Sequence, residues 1–326
     1  DDIRRFLTEH RLAAKPVAVR SSACSEDGAE TSFAGIHESW LNVVGAEEVC
    51  QAVLKCYASL WTPQALAYRR RMNVADGDAA CAVVLCEMIA GPEGPPAAAG
   101  VAFSCHPLSG RRDVITVNCA AGLGDAVVRG DVTPDEYVLN AHDTTTIESR
   151  VERGSPLLED SDITALGRLV WRVHWALGEG QDPQDIEWAF DGRQFWLLQS
   201  RPVTRLPRCT LPPLAGQPPI WSNANIKDSF PGPATMVTWS MMEAVVRDVL
   251  FASLKLVGYP LPAGMQVMRR FAGRFYFDLA IVQWSIYDAI GITPAETNRT
   301  TGGFQPEIRV PAGNPLRGGG GLRRSW

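Results

Sequence analysis

Two aromatic-rich runs joined by an Asp-Gly pair constrain this chain more than any other feature. Residues 185 to 204 read Asp-Ile-Glu-Trp-Ala-Phe-Asp-Gly-Arg-Gln-Phe-Trp-Leu-Leu-Gln-Ser-Arg-Pro-Val-Thr. Asp191-Gly192 between such runs is a hairpin signal, because glycine accepts the positive φ of a tight turn. Side chains alternate along a strand, so Gln199 and Arg201 share a face. Loop length decides where Glu187 falls. A two-residue loop pairing Phe190 with Arg193 sends Glu187 to the opposite face from Gln199. A three-residue loop, Asp191-Gly192-Arg193, gathers Glu187, Gln199 and Arg201 together. It also collects Ile186, Trp188, Phe190, Trp196 and Leu198 on one apolar surface, so this register is the expected one. The polar face then offers two oxygen ligands for a hard cation and a guanidinium for a phosphate. Taken alone, the stretch is equally an ordinary hairpin with a solvated polar face.

A second arginine motif lies far upstream. Lys15-Pro-Val-Ala-Val-Arg20-Ser-Ser-Ala-Cys-Ser-Glu-Asp27 reads as a short buried strand that delivers Arg20 at its end, with Ser21, Ser22 and Ser25 as small hydroxyl donors. Thr31-Ser-Phe-Ala-Gly35-Ile-His-Glu-Ser39 follows as a loop whose glycine lets backbone N–H groups approach a phosphate closely. Two guanidiniums, a small-residue loop and a Glu/Gln pair in one chain favour a nucleotide–metal site.

The segments Val19 to Ala23, Ser32 to Ile36, Gly122-Leu-Gly-Asp-Ala-Val-Val-Arg-Gly-Asp-Val-Thr-Pro-Asp-Glu-Tyr137 and Asp185 to Pro202 resemble, in order and spacing, the ATP-binding domain of the phosphoenolpyruvate-utilising dikinases. That family includes phosphoenolpyruvate synthase, pyruvate phosphate dikinase and rifampicin phosphotransferase. The resemblance covers nearly all of residues 15 to 204. It implies an α/β (α+β) ATP-grasp domain, here incomplete at its N-terminal lobe, followed by a partial helical second domain. Ile220 to Ser240 resembles the start of the second domain in the rifampicin phosphotransferase branch.

By that resemblance, Arg20 contacts the nucleotide phosphates, Gly35 and Ser39 line the same loop, and Arg201 is the second phosphate arginine. Glu187 and Gln199 match the acid and amide that hold Mg2+ and ATP. Cys86 stands where the family usually has a glutamine, and a thiol cannot replace both hydrogen bonds of an amide. Adenine contacts are then expected from backbone groups near Glu87 and Ile89. Asp125 replaces a common Glu. The family's N-terminal lobe of roughly a hundred residues, with its phosphate-reaching lysine, has no counterpart here, and Lys15 matches a different part of the pattern. The family's carrier histidine follows a Thr-x-Gly-Gly motif. Thr300-Thr-Gly-Gly303 looks similar, but no histidine follows and the last of five is His174, so it reads as a loop and no catalytic residue is assigned. The chain alone is therefore expected to be inactive, to bind ATP weakly and to leave apolar surface uncovered near the Arg20 strand.

Composition fits a globular domain: 326 residues, 46% hydrophobic and 21% charged. A net charge of -5 and the lack of basic runs interleaved with aromatics argue against nucleic-acid binding. No apolar run approaches a membrane span. None of the eight cysteines forms a C-x-x-C pair, so a reduced, cytoplasmic setting is expected.

Spacing predicts a helix over 1–14, the Arg20 strand and loop over 15–45, and a helix over 46–73 that continues past Pro63. Strands are expected at 80–90 and 98–104 about a Pro-rich turn at 91–96, and at 113–119. Ile163 to Leu177 has helical period, with His174 on or near the apolar stripe and read as core. Six prolines between Pro202 and Pro219 suggest an extended linker. The expected domains are 1–206, a linker at 207–219, a second domain at 220–316, and a disordered tail at 317–326. Thr235 to Gly258 begins a helical region. Two functions are open: the ATP-binding part of a phosphotransferase that passes the ATP β-phosphate through a phosphohistidine to an acceptor such as pyruvate or a rifamycin, or a non-catalytic nucleotide-binding or interaction module that depends on a partner chain.

Overall fold

The computed structural model describes residues 1–23, 39–71, 75, 79–92, 94–152, 154–224, 226–246 and 262–311. Gly35, most of the loop before Ser39, and the tail from 317 lie outside the described residues. The fold is mixed α/β. Among the described residues, the strands form one six-stranded sheet and two three-stranded sheets.

Two compact units interleave along the chain. The first comprises 1–100, 119–133 and 187–204; the second comprises 101–118, 134–186 and 205–326. In the first, the antiparallel order is β2-β1-β3, with β1 at Val17–Ala23, β2 at Ser39–Val43 and β3 at Cys81–Glu87. Alternation gives this sheet two chemically different faces. Val17, Val19, Val83 and Leu85 point to one side, where they pack with helices α1 (Asp2–Glu9) and α2 (Ala46–Ser59) through Leu7, Val49, Ala52 and Cys56. Burial pushes the Cys56 thiol up to about 11, with nearby Cys81 adding to the effect.

Helix α1 is shorter than the expected 1–14. The expected single helix over 46–73 is also broken, because α2 stops at Ser59 and α3 (Pro63–Arg71) starts afresh. Proline cannot donate an interior helical hydrogen bond but suits a first turn. Thr62 Oγ1 accepts from the Ala65 N–H at 3.3 Å, and the buried Arg69 donates to the Leu60 carbonyl at 2.6 Å.

The six-stranded order is β7-β6-β5-β4-β8-β9. It uses β4 (Ala98–Phe103), β5 (Val114–Ala120), β6 (Asp135–Asn140), β7 (Thr146–Arg150), β8 (Gln184–Phe190) and β9 (Phe195–Pro202). The Pro-rich turn at 91–96 is therefore no hairpin, since β3 and β4 belong to different sheets. Helix α4 (Asp125–Arg129) follows Gly124, where an added Cβ would lie 3.3 Å from the Gly100 backbone nitrogen. A side chain there would have to push that backbone back by a few tenths of an ångström.

In the second unit, α5 (Asp160–Leu177) buries Ile163, Leu166, Val170 and Val173, while Leu177 is exposed. The second domain, expected to be helical, contains an antiparallel sheet beside its helices, β10-β12-β11, of Trp221–Ser222, Arg274–Asp278 and Met268–Phe271. Helices α6 (Met236–Val245), α7 (Leu279–Ile290) and α8 (Pro294–Thr301) accompany it. Residues 207–219 are not an extended linker. Leu211 and Leu214 enter the core with Trp239, Phe275 and Trp284, because a short 3-10 turn at Pro212–Leu214 folds them inward. Arg208 pairs there with the buried Asp278, whose carboxylate also accepts the Ile220 and Ala280 N–H groups. Thr300 and Thr301 end α8, and only Gly302 and Gly303, both at positive φ, turn beyond it. The motif is a helix terminus running into a turn, where a loop was expected.

Candidate functional site

The described candidate residues belong to the first unit. Arg20 is the central residue of β1 and not its end as expected, because the strand runs on through Ser21 and Ser22 to Ala23, paired with β3 throughout; Val17, Ala18 and Val19 before it are buried. Its cross-strand partners are Ser39 on β2 and Val84 on β3. Cys86, opposite Ala18, falls two residues from Val84 and so on the Arg20 face. Arg20, Ser39 and Cys86 thus share the face turned away from α1 and α2. Cys86 is exposed. Glu87 points to the other side and forms an ion pair with Lys15, which assigns that lysine to a surface contact.

The β8–β9 hairpin brings in the acid and the amide. Its loop is neither of those weighed from sequence. The Asp191 N–H donates to the Gln194 carbonyl at 3.2 Å, leaving Gly192 and Arg193 as a two-residue loop instead of the expected three residues. The Asp191 carboxylate is the cause. It accepts the Arg193 and Gln194 N–H groups and the Trp196 indole N–H, each at 2.8 Å. These bonds, the indole first, hold its pKa below the usual carboxylate range. Gly192, at φ 91°, takes the conformation that side chains resist.

The expected apolar surface is also only partly formed. Ile186, Trp188 and Phe190 are buried, and the Phe190 and Phe195 rings stack at 4.6 Å. Trp196, Leu197 and Leu198 are 40%, 45% and 44% exposed. Strand β9 ends the sheet order, so hydrophobic segregation had little hold on its register.

Glu187 and Gln199 nevertheless meet, at Arg20. Arg20 Nη2 donates to Glu187 Oε2 at 3.2 Å and to Gln199 Oε1 at 2.5 Å. The pair converges through the reach of a third strand's guanidinium and not through hairpin register. The ion pair is partly sheltered, its side chains 26% and 28% exposed. Sequence reasoning missed this contact, although the opposite charges of Arg20 and Glu187 were its available signal. Arg201, two residues along β9 from Gln199, is half-buried.

Two converging oxygens with one carboxylate suit a hard divalent cation whose remaining ligands come from phosphate and water. Among the described residues, no group of three or more His, Cys, Asp or Glu could hold a metal by itself. His174 belongs to the core of the second unit, where Ser104 Oγ lies 3.2 Å from its Nδ1 and the Trp171 ring stacks on it at 4.8 Å. No helix among the described residues is long and apolar enough to cross a membrane.

Comparison with known proteins matches residues 1–156 and 143–213 to the family described as pyruvate phosphate dikinase, AMP/ATP-binding domain. A phosphoenolpyruvate synthase of Aquifex aeolicus is 35% identical over 240 residues, covering 63% of this chain and 28% of the relative. A phosphoenolpyruvate synthase of Pyrococcus furiosus is 34% identical over 218 residues, 58% of this chain and 26% of the relative. A rifampicin phosphotransferase of a Streptomyces species is 36% identical over 213 residues, 58% of this chain and 23% of the relative. The matched region spans less than a third of these relatives' lengths. With more than half of its residues inside the match, the chain belongs to the pyruvate phosphate dikinase AMP/ATP-binding domain family.

Proposed function

We propose that this chain is the ATP-binding part of a phosphotransferase of the phosphoenolpyruvate synthase and rifampicin phosphotransferase type. The observation that carries the reading is the meeting of Arg20, Glu187 and Gln199 within the first unit. In this proposal residues 1–206 form an ATP-grasp domain, and 220–316 open a second domain. Arg20 and Arg201 bind the phosphates, since a guanidinium matches phosphate oxygens with two parallel hydrogen bonds. Ser39 and Gly35 line the phosphate side. Cys86 borders the adenine without replacing an amide there.

Glu187 and Gln199 hold Mg2+, which when bound neutralises phosphate charge and orients the polyphosphate. The two arginines offset charge that builds as the phosphate bonds break. The β-phosphate would then pass through a histidine outside these residues to an acceptor of the pyruvate or rifamycin class, as the names of the relatives suggest. A cytoplasmic location is part of the proposal, supported by the buried, reduced thiols of Cys56 and Cys105.

Calorimetry with Mg·ATP tests the reading. Arg201→Ala and Glu187→Ala should each weaken binding tenfold or more without lowering the melting temperature. Wild-type affinity in both variants would refute it.

A further inference from the structure

Arg20 donates to the two oxygens assigned above to a divalent cation. One nitrogen, Nη2, takes both Glu187 Oε2 and Gln199 Oε1. Positive charge already stands where the acid and the amide converge. The ion pair is mostly shielded from water, and a sheltered carboxylate stripped of its cation is costly. A guanidinium has no acceptor to offer a metal, and two cations on the same oxygens repel. Arg20 must therefore leave before a divalent ion can enter. Phosphate oxygens attract a guanidinium strongly, with bidentate geometry and more negative charge than one carboxylate carries.

We propose that Arg20 is an exchangeable placeholder for the divalent cation. Without nucleotide it neutralises Glu187 and occupies the Gln199 oxygen. The polyphosphate of an arriving nucleotide draws the guanidinium away and opens the pair to the metal. Metal binding is thereby conditional on nucleotide: free metal meets a site closed by Arg20, and metal with nucleotide meets an open one. The proposal rests on the reading of Glu187 and Gln199 as metal ligands.

The test is Mn2+ titration of the chain, with free ion followed by electron paramagnetic resonance, alone and with ATP. Arg20→Gln and Arg20→Ala are compared with wild type, circular dichroism checking each fold. Both variants should bind Mn2+ alone about tenfold more tightly than wild type and ATP more weakly. The gain should vanish when Glu187→Ala is added to either. Mn2+ affinity equal to or below wild type in both Arg20 variants overturns the exchange. If Glu187→Ala still weakens Mn·ATP binding in that case, the exchange falls and the metal role stands. If Glu187→Ala has no effect on Mn·ATP binding either, the functional reading falls with it.

Discussion

His174 should resist protonation, and the size of that resistance follows from its surroundings. The ring is 5% exposed. Ser104 Oγ accepts the Gln184 N–H at 2.8 Å, so its own proton is free to go to His174 Nδ1. Backbone groups at Gly180 and Asp182 also bond the ring and act to raise its pKa, against the larger effect of burial. Burial above all, with the charge of Arg112 second, lowers its pKa from 6.5 to about 4. The unfolded chain takes up a proton near pH 6.5 that the folded chain refuses until about 4. The stabilisation from His174 is thus fully present above pH 6.5 and is lost as pH falls toward 4. The whole gap corresponds to about 3 kcal/mol, most of it gone by pH 4.5. Urea unfolding of wild type and His174→Gln at pH 7.5 and 4.5 measures it, wild type losing that much more than the variant. Carbon-13 labelling of the histidines gives the folded-state midpoint without assuming two-state unfolding. A midpoint near 6.5, or equal pH dependence in the two proteins, would refute the argument and reopen His174 as an accessible, chemically available ring.

Arg208→Ala strands the Asp278 carboxylate in the core and should cost about 3–5 kcal/mol of stability, measured by denaturant unfolding. Arg208→Met should cost nearly as much, because the lost partner and not the lost stem is responsible. Thiol labelling of the native chain, mapped by mass spectrometry, should modify Cys50 and Cys86 quickly and Cys56, Cys105 and Cys119 only after unfolding; burial drives Cys105 up to about 12, so it also lacks thiolate. Cys86→Gln should leave ATP affinity equal or improved by calorimetry, and a clear loss would give the thiol a part in binding. In an enzyme containing this domain, Arg201→Ala should cost on the order of 2–4 kcal/mol in the transition state, read from kcat/KM.

Where one face of an element is buried, the sequence pattern reads correctly. Val17, Val19, Val83 and Leu85 alternate because helices cover one side of their sheet, and that alternation alone turns Arg20 and Cys86 outward. The stripe Leu166, Val170, Val173 of α5 is legible for the same reason, and His174 sits beside it as core. Failures fall where a tertiary contact that local pattern does not encode decides the outcome. Prolines between 202 and 219 look like a linker, yet the leucines between them decide the outcome by entering the core of the second unit. Sheet membership was not legible, since nothing local tells β3 to pair with β1 or β4 to pair with β8, each far away in sequence.

The site shows the same division at the scale of single residues. Arg20, Glu187 and Gln199 stand out as candidates by their residue types together with a family resemblance, since the hairpin alone reads equally as an ordinary one. Their geometry was not derivable from hairpin arithmetic. The argument for a three-residue loop assumed that Trp196 and Leu198 seek the core, and on an edge strand they do not. The turn was set instead by three donors converging on Asp191, a tertiary detail that alternation cannot encode. What unites the acid and the amide is a residue more than 150 positions upstream, whose charge satisfies both at one nitrogen. Side chains of β1, β8 and β9 converge here by reach, Arg20 Nη2 bonding Glu187 Oε2 at 3.2 Å and Gln199 Oε1 at 2.5 Å.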